Sequence, residues 1–185
     1  FTPSVIDPGP PPLWYSGGTF VRPYCPPFET VTISNPNPTE PIYIEQFVVD
    51  LERTEHLEAE YLVTHLGSAS GKEPDWMIER VSSALNMAMK LHSPKATILL
   101  ENTAGEKGDV GYELEQVGDV IGRLHDSSRI GVCYDTCHGF AAGYDIRTKK
   151  GVDSLAKKID DTVGLDRLKG MHLNDCLRDF NSRVD

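Results

Sequence analysis

Four side chains that are able to bind a metal ion stand at regular distances along the chain. His65, Glu101, Asp135 and His172 each close a short apolar segment, and they follow one another at intervals of 36, 34 and 37 residues. Carboxylates and imidazoles together suit zinc or manganese. Each residue alone is more often a helix cap or a satisfied core group. Four of them at one structural position instead predict a metal centre.

The intervals between these residues match the length of one helix, one strand and two short loops. Apolar residues recur at helical spacing before each apolar segment, and a buried strand reads as a short continuous apolar run. Four helix–strand pairs are therefore predicted, with helices over 44–54, 76–91, 114–124 and 155–165, and strands over 61–65, 96–101, 130–135 and 168–172.

Strands that are joined by helices must run parallel, in a barrel or in a doubly wound open sheet. No Gly-x-Gly-x-x-Gly or Walker-type loop follows any predicted strand, which disfavours the nucleotide site of an open sheet. In a barrel, the C-terminal strand ends form one ring, so ligands that are far apart in sequence become neighbours. We predict an α/β fold of the (β/α)8 TIM-barrel type. Because a closed barrel typically needs about 250 residues, four to five βα units predict an incomplete one.

Proline divides the chain unequally, since eleven of the 13 prolines lie in the first 41 residues. Proline fixes its own φ and removes a hydrogen-bond donor, so residues 1–41 are predicted to form an extended or disordered arm. The barrel portion is predicted to cover residues 42–185. The start at Phe1 and the stop at Asp185 suggest that both ends were cut from a longer protein.

The balance of 18 basic against 28 acidic side chains gives a net charge of −10, the reverse of a general nucleic-acid binder. A nucleic-acid role would need a local positive patch or metal ions. We find no apolar run long enough for a membrane span and no secretory signal, so we expect no membrane partner. An intracellular, cytoplasmic location is expected, or a nuclear or mitochondrial one in a eukaryote. The oligomeric state is left open.

The loops after the predicted strands hold further candidates. His138 follows Asp135 by three residues, so the two side chains could serve different metals from the start of one helix. Asp185 lies thirteen residues beyond His172, which is far enough for its carboxylate to return to the mouth. We expect Cys133 to pack in the core and Cys137 to pack behind the loop rather than bind zinc.

Five short motifs occur in a fixed order. They are Glu-Asn-Thr-Ala-Gly at 101–105, Val-Cys-Tyr-Asp-Thr-Cys-His at 132–138, Ala-Ala-Gly-Tyr-Asp at 141–145, Gly-Met-His-Leu-Asn-Asp at 170–175 and Ser-Arg-Val-Asp at 182–185. Together they resemble the endonuclease IV family, the zinc-dependent apurinic/apyrimidinic endonucleases of base excision repair. The resemblance covers about residues 42–185.

The resemblance implies a (β/α)8 barrel with three zinc ions and hydrolysis of the phosphodiester 5′ to an abasic site in duplex DNA. Glu101 would hold the metal pair and the nucleophilic hydroxide. Three further family ligands, two histidines and one glutamate, have no counterpart here, so we expect the chain as given to cleave abasic DNA poorly. The implied ligands are His65 for the first zinc, Glu101 for the first and second, Asp135 and His172 for the second, and His138 and Asp185 for the third.

Two alternatives stay open at this point. A sugar isomerase or epimerase on a related barrel also uses glutamate, aspartate and histidine, around one or two divalent ions. His138 argues against it, because this imidazole has a role only with a third metal. A non-catalytic fragment of the endonuclease is the other alternative. Among the basic residues, Arg178 and Arg183 are candidates for phosphate contacts, whereas Arg147 and Lys149 are expected to be solvated surface.

Overall fold

A computed structural model describes residues 28–32 and 41–185 of the chain. Within these residues, strands and helices alternate, and two short 3-10 helices lie at Glu106–Gly108 and Leu165–Arg167. The strands are β1 (Phe28–Thr32), β2 (Tyr61–His65), β3 (Thr97–Glu101), β4 (Ile130–Asp135) and β5 (Leu168–His172). The helices are α1 (Pro41–His56), α2 (Pro74–Leu91), α3 (Leu114–Gly122), α4 (Thr136–Ala142) and α5 (Lys149–Thr162).

The strands form a single sheet in the order β1-β2-β3-β4-β5, and every neighbouring pair is parallel. Each connection between neighbouring strands contains at least one helix, as parallel strands require. Sequential order in an all-parallel sheet is the topology of a (β/α)8 barrel rather than that of a doubly wound sheet, where the strand order reverses. The predicted fold class is therefore confirmed, as a partial barrel.

One strand lies within the segment that was expected to be an arm. Phe28–Thr32 pairs along its whole length with β2, so these five extended residues belong to the sheet rather than to a separate arm. The physical reason is local. Prolines at Pro27 and Pro36 flank the strand, but none falls inside it, and Thr and Val are good strand formers. The rest of that segment lies outside the described residues.

The helix-facing side of the sheet carries the main core. Successive side chains in a strand point to opposite faces, and alternate residues of β2, β3 and β4 pack against the helices. The strand residues in this core are Leu62, Ile98, Leu100, Ile130, Val132 and Tyr134.

Within the described residues, no helix has both the length and the apolar character needed to cross a membrane.

The opposite face of the sheet, which corresponds to the interior of a barrel, leads to the candidate ligands. A small apolar cluster on this face consists of Val63, Leu99 and Cys133. His65, Glu101 and Asp135 each follow one member of this cluster by two positions, so they point to the same face. The cluster therefore lies directly beneath these polar groups, and the prediction that Cys133 packs in the core is confirmed.

A β-bulge interrupts the pairing between β4 and β5. Val132 stands opposite Leu168, but from the next residue the register shifts by one, so that Lys169 is the extra residue on β5. Beyond the bulge, Asp135 stands opposite His172. Bulges often re-aim a side chain beside a functional site. Here the bulge brings the imidazole level with the carboxylate.

Candidate metal centre

The four residues at the strand ends converge on one mouth. The Nε2 atom of His65 lies 3.1 Å from Oε2 of Glu101, and Nδ1 of His172 lies 2.7 Å from Oε1 of the same carboxylate. His172 Nδ1 is also 3.7 Å from Oδ2 of Asp135. The predicted convergence is therefore confirmed. The role of these residues as metal ligands stays a prediction.

Glu101 occupies the centre of the group, with a side chain that is only 2% exposed. Its Oε1 atom accepts a hydrogen bond from Nδ1 of His172 at 2.7 Å. Its Oε2 atom is buried and accepts no well-aligned hydrogen bond, although His65 Nε2 lies only 3.1 Å away. A buried carboxylate oxygen that faces an imidazole nitrogen without a shared proton fits a site where both atoms bind one cation.

The charges around Glu101 favour positive charge at the mouth. Burial alone would raise the pKa of Glu101, but the neighbouring imidazoles of His172 and His65 lower it to about 2. Hydrogen bonds with Cys133 and Glu101 raise the pKa of His172 to about 10. Burial opposes the protonation of His65, yet Glu101 raises its pKa as well. The surroundings thus stabilise cationic groups here, as a metal-binding site must.

The two carboxylate oxygens of Asp135 accept hydrogen bonds from different donors. It is the N-cap of α4, where Oδ1 accepts a hydrogen bond at 2.9 Å from the backbone N–H of His138. The side-chain amide of Asn174 donates a hydrogen bond to Oδ2. Asn174 is in turn held by Thr136, whose hydroxyl accepts from its backbone N–H at 2.9 Å and donates to its carbonyl at 2.7 Å. The carboxylate is therefore fixed from both sides.

The imidazole of His138 reaches back over the same mouth. Its Nδ1 atom lies 2.9 Å from the backbone carbonyl of Asn102, and its Nε2 atom lies 3.1 Å from Oδ2 of Asp185. Because a carbonyl can only accept, Nδ1 is the donor in the first contact, and Nε2 is the nitrogen that faces Asp185. The return of Asp185 to the mouth is confirmed. The Cys137 thiol donates to Oδ1 of Asp185 at 3.0 Å from behind, so it packs behind the loop as expected.

The donor set fits divalent metal ions. Two groups each offer three ligand atoms that lie within 4.8 Å of one another, namely His65, Glu101 and His138, and Glu101, Asp135 and His172. Zinc binds nitrogen and oxygen at about 2.0–2.2 Å, which places two tetrahedral ligand atoms roughly 3.3 Å apart. The 3.1 Å approach between His65 and Glu101 is close to that spacing. Glu101 belongs to both groups, as a bridging carboxylate would.

Two of the basic residues considered for phosphate contacts are already paired with acidic side chains. Arg147 makes two hydrogen bonds with the carboxylate of Asp145, and Lys149 pairs with Asp153 one turn along α5. Both of these cations are already paired at the surface, which favours the solvated role over a phosphate contact. Arg183 instead stacks on an aromatic ring that follows β3.

Two asparagines of the site were not among the residues singled out from the sequence. Asn102 holds the backbone of Asp135, and Asn174 holds its side chain. Both stand next to a candidate ligand in sequence, Asn102 directly after Glu101 and Asn174 two residues after His172. An amide beside a predicted ligand, at the point where a strand ends, was the available signal.

Comparison with known proteins agrees with this geometry. A family model described as a xylose isomerase-like TIM barrel matches residues 18–185. The parallel sheet and this match place the chain in that class of proteins. A probable endonuclease 4 from Methanoculleus marisnigri is 42% identical over 157 residues, which are 81% of this chain and 56% of that protein. Another from Chlorobium luteolum is 38% identical over 91% of this chain and 61% of its own length.

Solved structures show the same relationship. Endonuclease IV from Thermus thermophilus is 31% identical and superposes with a TM-score of 0.68, over 84% of this chain and 56% of that chain. The chain belongs to the endonuclease IV family, and it spans only part of the length of the relatives that it matches. A D-tagatose 3-epimerase-like protein, 19% identical with a TM-score of 0.62, shares the fold.

Proposed function

We propose that the protein is a zinc-dependent apurinic/apyrimidinic endonuclease that cleaves duplex DNA on the 5′ side of an abasic site. The observation that carries this proposal is the Glu101 carboxylate, which is buried between His65 and His172 with one oxygen towards each. A phosphodiester resists hydrolysis because it is anionic, and a carboxylate shared by two metal ligand groups is suited to hold adjacent divalent ions. Membership in the endonuclease IV family supports the same reaction.

By resemblance to the family, the candidate ligands would be divided among three zinc ions. His65 and Glu101 would hold the first ion, and Asp135 and His172 would join Glu101 at the second. His138 and Asp185, whose facing atoms are 3.1 Å apart, would hold the third. When bound, zinc supplies a nucleophilic water at neutral pH and neutralises the phosphate.

The chain's own groups would orient the reaction. Glu101 remains ionised at neutral pH, because its pKa is lowered to about 2, so its carboxylate can accept a hydrogen bond from the attacking oxygen. That oxygen bonds to phosphorus, and the bond from phosphorus to the 3′ oxygen breaks. The departing oxygen takes up a proton and becomes a 3′-hydroxyl. The inner face beneath the site is apolar and excludes water from below.

The net charge of −10 bears on this proposal, since it opposes the approach of DNA. Three divalent cations would bring a charge of +6 to the mouth, where the phosphate binds, so the attraction is local rather than spread over the surface. We therefore expect that removal of the divalent metal lowers the activity more than substitution of the surface lysines and arginines does.

The test is incision of an end-labelled duplex with one abasic site, beside the same duplex without it. The protein loaded with zinc should cut only the abasic strand and leave a 3′-hydroxyl, at a low rate because three of the family's ligands have no counterpart among its residues, and EDTA should abolish the cut. Glu101→Gln should lose the activity, whereas Glu115→Gln should keep it, because Glu115 pairs with Lys158 on the helical surface. The absence of incision, or equal incision by the Glu101 variant, would refute the proposal. The alternative sugar isomerase would instead convert a ketose and ignore DNA.

A further inference from the structure

Asn102 contacts two candidate ligands from one buried position. The residue is fully buried, with 0% exposure. Its side-chain amide donates to the backbone carbonyl of Asp135 at 3.1 Å and accepts from the backbone N–H of Asp135 at 2.7 Å. Its own backbone carbonyl lies 2.9 Å from Nδ1 of His138. One residue thus holds the peptide of one ligand and the ring of another.

The amide takes over where the strand ladder stops. The paired register of β3 and β4 ends with Glu101 opposite Cys133, so Asp135 lies two residues beyond the last pair. Backbone N–H and C=O groups that are buried need partners. The Asn102 amide supplies both for Asp135, like one further rung of the ladder. The start of α4, and with it the carboxylate of Asp135, is held against β3 in this way.

The backbone carbonyl of Asn102 decides how the His138 ring is used. Nδ1 of this ring lies 3.6 Å from Oε1 of Glu101 and 3.8 Å from Oδ1 of Asp135, both longer than its contact with the carbonyl. With the Nδ1 proton directed at Asn102, Nε2 is the atom that remains for Asp185 or a metal ion. His138 is thereby assigned to the side of the mouth where Asp185 lies.

We propose that Asn102 is the positioning residue of the metal centre, which fixes the Asp135 backbone through its amide and the His138 tautomer through its carbonyl. This inference rests on the proposed metal centre. Partners that orient metal ligands typically change metal affinity by about 10–100-fold when they are removed. Aspartate in place of Asn102 would keep the acceptor for Asp135 N–H, but it would turn a carboxylate oxygen towards the Asp135 carbonyl. Alanine would leave both backbone groups without their partner.

The chain offers a matched control at the other end of the fold. The amide of Asn86 on α2 donates to the backbone carbonyl of Arg123 at 3.1 Å and accepts from the backbone N–H of His125 at 2.8 Å. Asn86 therefore makes the same kind of two-point contact with backbone, but between α2 and the loop after α3. Its loss should lower stability without any effect on metal binding.

The experiment compares the full chain with Asn102→Ala, Asn102→Asp and Asn86→Ala. Zinc affinity is measured by competition with a chelating dye, after far-UV circular dichroism has shown that each variant is folded. Both Asn102 variants should bind zinc about 10–100-fold more weakly, while Asn86→Ala should bind like the wild type. Asn102→Asp keeps the size of the side chain, so it carries the test if the alanine variant does not fold.

A second measurement separates positioning from metal binding. In the metal-free protein at one pH, the 15N chemical shifts of His138 should report a protonated Nδ1 in the wild type and in Asn86→Ala. The Asn102 variants keep the backbone carbonyl, but without the amide contacts to Asp135 this carbonyl is no longer held against the ring, so we expect a mixture of tautomers. Wild-type zinc affinity together with an unchanged tautomer would overturn the role of Asn102. A wild-type chain that binds no zinc would refute the proposed function instead. The tautomer comparison would still test whether Asn102 positions the His138 ring.

Discussion

The guanidinium carbon of Arg183 lies 4.0 Å from the centre of the Tyr112 ring. This contact joins the loop after β3 to the last described loop, two residues before Asp185. The backbone N–H of Arg183 also donates to the carbonyl of Ala141 on α4 at 3.0 Å. The stacked pair therefore holds the segment from which Asp185 reaches His138.

Removal of the stacked pair should loosen this segment. Tyr112→Ala should lose a cation–π contact of about 0.5–1 kcal/mol, which converts to a several-fold faster hydrogen exchange of the Arg183 amide. Tyr112→Phe keeps the ring and should exchange like the wild type. If the phenylalanine variant exchanged as fast as the alanine variant, the hydroxyl rather than the ring would be responsible.

Gly105 should tolerate alanine poorly. Its φ is +84°, and an added Cβ would lie 2.9 Å from the Tyr112 ring and 3.1 Å from Nη1 of Arg183. Gly71 has almost the same φ of +83°, but an added Cβ there meets nothing within 4 Å. Gly71→Ala should cost only the backbone strain of roughly 1–2 kcal/mol, and Gly105→Ala about 1–3 kcal/mol more from overpacking. Urea unfolding measures both, and equal losses would contradict the steric account.

The stability of the fold should depend on pH through Glu55 on α1. A hydrogen bond from the backbone N–H of Lys95, and then the contact with His92, lowers the pKa of Glu55 from its ordinary value of 4.5. A lowered pKa stabilises the folded state above the unfolded value, and that contribution is lost as the pH falls through the lower folded value. Glu55→Gln should therefore cost about 1 kcal/mol at neutral pH and nothing in stronger acid. A difference that does not change with pH would contradict this.

Zinc retention should separate two of the candidate ligands. Glu101 belongs to both groups of possible ligands, whereas His138 belongs to one. After dialysis, Glu101→Gln should therefore retain less zinc per chain than His138→Ala, as elemental analysis would measure. Complete loss of zinc in His138→Ala would mean that the assignment to three metal positions is wrong.

The strand ends and their common face were predictable because they follow from local pattern. Alternation places His65, Glu101 and Asp135 two residues beyond apolar ones, and helix and loop lengths set the repeat. These signals lie within one βα unit each. The fold class and the convergence at the mouth could therefore be deduced from the residues alone.

Three other features depend on contacts between distant residues. Asn102 acts on Asp135 across 33 positions of sequence, and no periodicity marks such a contact. The sequence around Phe28–Thr32 does not indicate a strand, because the surrounding prolines dominate its composition, and the strand is stabilised by its pairing with β2. The bulge at Lys169 arises where β5 pairs with β4, and the sequence of β5 alone does not reveal it.

The bulge determines which face of the sheet each later residue of β5 occupies. Residues that stand opposite each other in parallel strands point to the same face, so Asp135 and His172 share the inner face. If Lys169 paired with Cys133 and no bulge formed, Met171 would stand opposite Asp135, and the imidazole of His172 would turn to the other face. A continuous register would thus exchange an imidazole for a thioether at the mouth, although every candidate ligand would remain in the chain.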